Sequence, residues 1–325
     1  MKKIIKYSLL GLFLLLASAF CYLKFALPNV PVLEDLKVKT TPERIERGRY
    51  LANNVNLCMD CHAERDFTKF TGPPKPGTLG KGGERFDHSI GFPGTFYSRN
   101  ITPYGLEDWS DGELYRAITS GVSKDGSVIF PVMPWPAYNK MATEDIYSII
   151  SYLRTLKPIE TDNKTSTTDF PVSLIKNTFP MPASPNAIPE KSDRLAYGAY
   201  LTSAAACIEC HSKKDDKGNN IPGTEFGGGA AFPLPGYGTV YSANLTPHPK
   251  NGLKYNEESF IARFKSYVDS SYVPHDVEPR EFQTLMPWMM YGGMKEEDLG
   301  AIYHYLSSLD PIDNSVVKFS PENDI

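Results

Sequence analysis

At 325 residues, 41% hydrophobic and 22% charged, the chain is long enough for two cores and too apolar for disorder. Its formal net charge of −4 leaves no basic excess of the kind that nucleic-acid binding needs. Residues 1–27 hold four lysines and no acid, so the remainder carries 30 basic against 38 acidic residues, a net charge of −8 that favours partners with a basic docking patch.

The chain opens with Lys2, Lys3 and Lys6, followed by 17 uncharged residues from Tyr7 to Leu23. Positive charge ahead of an apolar run directs the rest of the chain out of the cytoplasm. The run lies at the short end of the roughly 17–25 residues that span a bilayer, but Lys24 can snorkel while Phe25, Ala26 and Leu27 extend it. Ala17-Ser18-Ala19 offers a signal-peptidase site, yet cleavage there leaves Phe20 to Leu27 as an apolar mature end. An uncleaved anchor is therefore expected over 1–27, with a removed signal peptide as the alternative. Cys21 reads as an inert thiol within that segment. Residues 28–40, with Pro28 and Pro31, read as a stalk.

Thr41-Pro42-Glu43 supplies a helix N-cap, a first-turn proline and a first-turn acid, so a helix is predicted through Gly48, Tyr50 and Leu51. It leads into Cys58-Met59-Asp60-Cys61-His62. An equivalent helix starts near Ser192-Asp193, passes Gly198, Tyr200 and Leu201, and leads into Cys207-Ile208-Glu209-Cys210-His211. Residues three and four apart share a helix face, so both sulfurs and the imidazole of each motif can meet one flat ligand. A lone Cys-x-x-Cys also suits zinc or a redox dithiol. Here a histidine follows both times and the surroundings repeat as well, which points to two covalently bound haems with His62 and His211 as iron ligands. Gly48 and Gly198 suggest close approach of another helix.

Each motif is followed by a Gly/Pro-rich connection in which Pro73 and Pro222 stand 11 residues past the histidine. Either could accept the second imidazole N–H on its carbonyl, or simply serve a turn. The repeat continues as Tyr97-Ser98-Arg99-Asn100-Ile101-Thr102-Pro103 and Tyr241-Ser242-Ala243-Asn244-Leu245-Thr246-Pro247. Tyr97, Tyr241, Asn100 and Asn244 are candidates for haem propionates, with a self-bonded turn as the alternative. A short helix capped at Ser110 with Glu113, and its partner capped at Asn256, come next.

Val132-Met133-Pro134-Trp135 and Leu285-Met286-Pro287-Trp288 then place a methionine in the same context twice among nine in the chain. Thioether sulfur is a soft ligand for haem iron, so Met133 and Met286 are the expected axial ligands opposite His62 and His211. Trp135 and Trp288 are expected to pack on the haems. Each half closes with an amphipathic helix: Ile146, Ile149, Ile150 and Leu153 capped by Thr143, and Leu299, Ile302, Tyr303 and Leu306. Residues 161–190 are Thr/Pro-rich, but Phe170, Val172, Leu174, Ile175, Phe179 and Met181 predict a linker lying across both halves. His88, His248, His275 and His304 have no counterpart in the other half, and His248 and His275 are the ones that could displace a methionine.

The order helix, Cys-x-x-Cys-His, Gly/Pro loop, Met loop, C-terminal helix resembles class I c-type cytochromes. With Tyr-Ser-x-Asn-x-Thr-Pro and Met-Pro-Trp added, it resembles the dihaem cytochromes related to cytochrome subunits of periplasmic alcohol, gluconate and aldehyde dehydrogenases, over roughly residues 41 to 312. The alcohol dehydrogenase group commonly carries three haem motifs, whereas this chain has two. The resemblance implies a mainly α protein without a substantial sheet: cytochrome c domains at 41–160 and 191–325, joined by the Pro-rich linker. It also implies haem attachment at Cys58, Cys61, Cys207 and Cys210, proximal His62 and His211, and axial Met133 and Met286.

The expected activity is electron transfer, with no substrate transformed because protein ligands would saturate both irons. Donor and acceptor are expected to be a dehydrogenase and a downstream cytochrome or oxidase, with the chain either a free carrier or the electron-transfer subunit of the dehydrogenase complex. The protein would be anchored at the membrane on the periplasmic side, or soluble there if the leader is cleaved. A dihaem peroxidase or related haem oxidoreductase is the alternative, and it needs one open iron.

Overall fold

The computed structural model describes residues 1–215 and 218–322. An apolar helix α1 (Lys2–Cys21) continues as a π-helical turn, Tyr22–Ala26, with no residue buried, and together they are long and apolar enough to cross a membrane. The residues predicted to form a stalk are bound to the body. Val38 N donates to Asp111 Oδ2 at 2.8 Å, Val30 O accepts from Arg116 Nη1 at 3.4 Å, and Leu36 and Val38 pack against the core. Apolar side chains at those two positions are why the segment lies down on the body.

The first half runs through α2 (Pro42–Tyr50), α3 (Cys58–Cys61), α4 (Pro103–Leu106), α5 (Asp111–Ser120), α6 (Trp135–Tyr138) and α7 (Thr143–Leu153). After α8 (Val172–Ile175), the second half runs through α9 (Arg194–Ala204), α10 (Cys207–Cys210), α11 (Glu257–Lys265), α12 (Trp288–Gly292) and α13 (Glu296–Ser307). Thr41 Oγ1 accepts from Arg44 N at 3.3 Å, Asp193 Oδ1 accepts from Ala196 N at 3.0 Å, and Ser110 with Glu113 closes a capping box. Thr143 is not a cap: it is the first helical residue of α7, and Ala142 holds the cap position without a side-chain bond.

The protein is mainly helical, and each half adds a small antiparallel sheet. Strands β1 (Arg85–Phe86), β2 (Gly94–Tyr97) and β3 (Thr167–Thr168) pair with Arg85 opposite Tyr97 and Gly94 opposite Thr168. Strands β4 (Ala231–Leu234), β5 (Gly238–Tyr241) and β6 (Phe319–Pro321) repeat this with Ala231 opposite Tyr241 and Gly238 opposite Pro321. Each third strand comes from beyond the closing helix, so the repeated unit is longer than its helices suggest. Farther along, residues 182–186 run beside α6: Asn139 Nδ2 donates to Pro182 O at 3.0 Å, and Ser184 N donates to Asn139 O at 3.1 Å. This part of the connection is bonded to the first half.

Helix α2 crosses α7 at Gly48, where a Cβ would stand 1.8 Å from Ser148 O, and α9 crosses α13 at Gly198, 2.0 Å from Ala301 O. Glycine is required at both crossings because backbone meets backbone.

One continuous buried core holds residues of both halves, and they meet through a reciprocal pair of bonds. Tyr50 donates to Asp298 Oδ2 at 2.5 Å, and Tyr200 donates to Asp145 Oδ2 at 2.7 Å. Lys295 N in turn donates to the Tyr50 hydroxyl and Ala142 N to the Tyr200 hydroxyl. Equivalent residues exchanged in both directions amount to an approximate two-fold relation between the halves. The pair is not symmetric in charge. Asp145 also binds Arg47 through Nε and Nη2 at 2.9 and 2.8 Å, whereas Tyr197 occupies the place of Arg47 in the second half. Tyr50→Phe should therefore lower stability by about 2 kcal/mol and Tyr200→Phe by about 1 kcal/mol, because Asp145 keeps the Arg47 guanidinium whereas Asp298 keeps only the neutral Tyr197 hydroxyl. Urea melts of the two variants check the order.

Candidate haem sites

The two Cys-x-x-Cys-His helices are built alike. Leu57 and Ala206, one residue before each, take left-handed backbone angles with φ of 55° and 53°, which turns the chain sharply out of the preceding helix. His62 N bonds Cys58 O and His211 N bonds Cys207 O, both at 2.9 Å, so each histidine is held at the end of a single turn that carries both sulfurs. Burial pushes the thiols of Cys58, Cys61 and Cys207 up to about 12 and raises that of Cys210. Neutral thiols are not the reactive form of a redox dithiol, and among the described residues no group of three or more His, Cys, Asp or Glu side chains is placed to hold a metal ion.

The imidazoles are oriented by the Tyr-Ser-x-Asn loops. His62 Nδ1 lies 2.6 Å from Arg99 O, and His211 Nδ1 lies 2.8 Å from Ala243 O. A carbonyl only accepts, so Nδ1 carries the proton in both rings and Nε2 keeps its lone pair. Burial holds both histidines below their ordinary pKa against the opposing effect of those carbonyls, and a neutral ring is the ligating form. The prolines suggested as acceptors do not serve: the carbonyl of Pro73 accepts from Asp66 N, and at both sites the acceptor is residue x of the loop.

Gly82 and Gly228 lock the arrangement. Their N–H groups donate to His62 O and His211 O at 3.0 and 2.8 Å, while a Cβ on either would come within 2.4 Å of Arg99 C or Ala243 C. Both stand at positive φ, 73° and 69°. The sequence reading missed them, although the Gly-Gly pairs 82–83 and 228–229 recur at comparable places.

Asn100 and Asn244 form the self-bonded turn. Each Oδ1 accepts from the N–H and hydroxyl of the threonine two residues on, and each Nδ2 donates at 2.7 Å to Ile159 O or Ile312 O beyond the closing helix. Both are buried and committed to protein partners, so the propionate role suggested for them is replaced by a structural one. Tyr97 and Tyr241 are half-buried, and the ring of Tyr97 lies under Lys164 Nζ at 5.1 Å.

Met133 and Met286 sit in matching tight turns. Trp135 N donates to Met133 O at 2.7 Å and Trp288 N to Met286 O at 2.8 Å, across prolines with φ, ψ of −78°, 47° and −82°, 65°. These are inverse γ-turns, and they fix the backbone on which a weak sulfur ligand would depend. Five residues past each methionine, Tyr138 and Tyr291 reach back to the motif: their hydroxyls donate to Asn56 O at 2.6 Å and Ala205 O at 2.9 Å, two residues before the first cysteine. The methionine loop and the cysteine helix of each half are thereby tied together. These tyrosines were missed in the sequence, where their equal spacing from Met-Pro-Trp was the available signal.

The tryptophans differ. Trp135 is fully buried against Gly121 and donates to Ile129 O at 2.9 Å. Trp288 is half-buried, stacked on Tyr267 at 5.0 Å with the Arg263 guanidinium 4.8 Å from its ring. The remaining histidines are occupied elsewhere: His275 stacks on Phe70, His248 Nδ1 accepts from Asn251 N, His88 pairs with Asp169, and His304 is exposed on α13. The two sites approach through Asn56, whose Nδ2 donates to Ala204 O at 3.0 Å across the interface between the halves.

Paired neutral thiols one helical turn apart, beside an imidazole with a free Nε2, fit a covalently held haem. No family model matches the chain. The gluconate 2-dehydrogenase cytochrome c subunit of Pantoea cypripedii is 26% identical over 306 residues, 86% of this chain and 63% of that protein. The alcohol dehydrogenase (quinone) cytochrome c subunit of Gluconacetobacter polyoxogenes is 26% identical over 286 residues, 82% of this chain and 56% of that protein. A diheme cytochrome c-type protein of Cereibacter sphaeroides is 26% identical over 200 residues, 58% of this chain and 63% of that protein. The chain spans between about half and two thirds of the length of these relatives. By motif, local geometry and similarity over most of its length, the chain is a homologue, at modest identity, of cytochrome c subunits of gluconate and alcohol dehydrogenases and of a diheme cytochrome c.

Proposed function

We propose that the chain relays electrons through two covalently bound haems, from a dehydrogenase to a respiratory acceptor such as a cytochrome or oxidase. Cys58 and Cys61, and Cys207 and Cys210, would hold the vinyl carbons as thioethers. His62 and His211 would ligate iron through Nε2, with Met133 and Met286 opposite. Bound haem supplies a reversible one-electron couple. The protein orients each imidazole with one carbonyl and fixes each methionine in a γ-turn. Two cytochrome c domains, 41–160 and 191–325, joined by 161–190, are the corresponding organisation. The apolar helix Lys2–Ala26 is the proposed anchor, with the haem domains outside the cytoplasm.

The observation that carries this reading is the duplicated contact of His Nδ1 with the loop carbonyl, because it leaves the same iron-binding atom free twice. Alkaline pyridine spectra and intact mass of protein matured with its haem-attachment machinery test it. Two haems per chain are expected, and one or none would overturn it.

A further inference from the structure

The apolar helix ends against an element that the electron-transfer reading does not use. Helix α8 and the turn after it pack on residues 22–26: Asn177 Nδ2 donates to Leu23 O at 2.9 Å. Leu23 is the fourth residue from the end of a 25-residue span. At 1.5 Å per residue that span is about 37 Å long, against a hydrocarbon core of about 30 Å. Lys2, Lys3 and Lys6 take up the excess at the other end, so the last turn, with Tyr22 and Lys24, stands at the edge of the core, where aromatic and snorkelling basic side chains belong.

Whatever is bonded to Leu23 stands at that depth too. Phe170, Ile175 and Met181 are 81%, 44% and 51% exposed, an apolar set that the protein covers only in part. Val172, Leu174 and Phe179 are half-buried, and Phe179 lies against Phe130, so the segment is attached to the first half and not to the helix alone. The path from the helix to the body is also short. Val30 O already accepts from Arg116, and Leu33 O lies on Gly112, where a Cβ would come within 2.2 Å. A body bound to the chain this soon after Ala26 cannot swing far from the bilayer.

We propose that residues 170–181 form a second membrane contact, inserting Phe170, Ile175 and Met181 among the headgroups beside the anchor and fixing which face of the haem domains looks away from the lipid. The occupant is a phospholipid surface, because the patch continues from the span itself. The proposal rests on the reading of Lys2–Ala26 as a retained anchor.

Nitroxide labels on the full-length holoprotein in phospholipid nanodiscs test it, in a Cys21→Ser background so that no native thiol competes. Phe170→Cys and Ile175→Cys are compared with Val273→Cys and Val317→Cys, whose parent residues are 78% and 74% exposed on the body. Labels at 170 and 175 should be several-fold more accessible to oxygen and several-fold less accessible to a water-soluble nickel chelate than labels at 273 and 317. Equal accessibility at all four positions overturns the proposal, and so does shielding that appears only when a dehydrogenase subunit co-purifies. Intact mass separately reports whether the leader is retained. If it is removed, the anchor reading falls, and the same labels on the mature protein with vesicles decide the surface: shielding by lipid keeps it and free exposure overturns it.

Discussion

Met286→Ala and Met133→Ala are each expected to open one iron while leaving the other closed. In the oxidised protein, each substitution should remove about half of the charge-transfer absorption that methionine-ligated ferric haem gives. In the reduced protein, each should create one carbon-monoxide-binding haem per chain. The potential of the altered site should fall by on the order of 0.1–0.2 V, a fraction of the roughly 0.8 V range that axial ligands set. The fold should survive, because both side chains are only half-buried and the turn that carries them is closed by backbone atoms. The double variant should lose the band altogether. If one single substitution changes neither band nor carbon monoxide binding, that haem uses another ligand or none, and a peroxidase-like protein with an open iron becomes the better reading.

Gly48→Ala and Gly198→Ala should be the most damaging substitutions outside the motifs. A methyl group at either place meets a backbone carbonyl at 1.8 or 2.0 Å, and a carbonyl inside a helix cannot rotate away as a side chain can. The helices would have to part, and the loss should reach about 3 kcal/mol, the upper end of overpacking costs. Gly77→Ala provides the comparison: its φ of 76° is strained for alanine but nothing lies within 4 Å, so about 1 kcal/mol is expected. Denaturation midpoints, with haem content per chain, measure all three. Equal losses would mean that the helix crossings are looser than the structure has them.

What was legible in advance was whatever lies within one or two helical turns. The caps at Thr41, Asp193, Ser110 and Asn256 were readable because a cap and its partner are three residues apart. Thr143 misled for the same reason: a threonine before an apolar stripe looks like a cap whether it stands at the cap or one place inside. The contacts of Val38 and Val30 were not legible because they lie on α5, far away in sequence. Pro73 was the wrong acceptor for His62 because proximity in sequence was the only guide, and the carbonyl that does accept is 37 residues further on.

By itself the sequence determined the chemistry that each site can hold: two sulfurs and an imidazole on one turn, twice, with a methionine in a repeated context. Such spacing is local, and a helical turn converts it directly into geometry. The orientation of the imidazoles, the structural use of Asn100 and Asn244, the tyrosine ties from α6 and α12 and the crossed Tyr50–Asp298 and Tyr200–Asp145 bonds were decided only by the tertiary structure. Tyr50 and Asp298 are 248 residues apart, and nothing in either residue's neighbourhood marks the other. A buried hydroxyl and a buried carboxylate must find partners once water is excluded, but which partner each finds depends on how two helix pairs pack across an interface that exists only after both halves have folded.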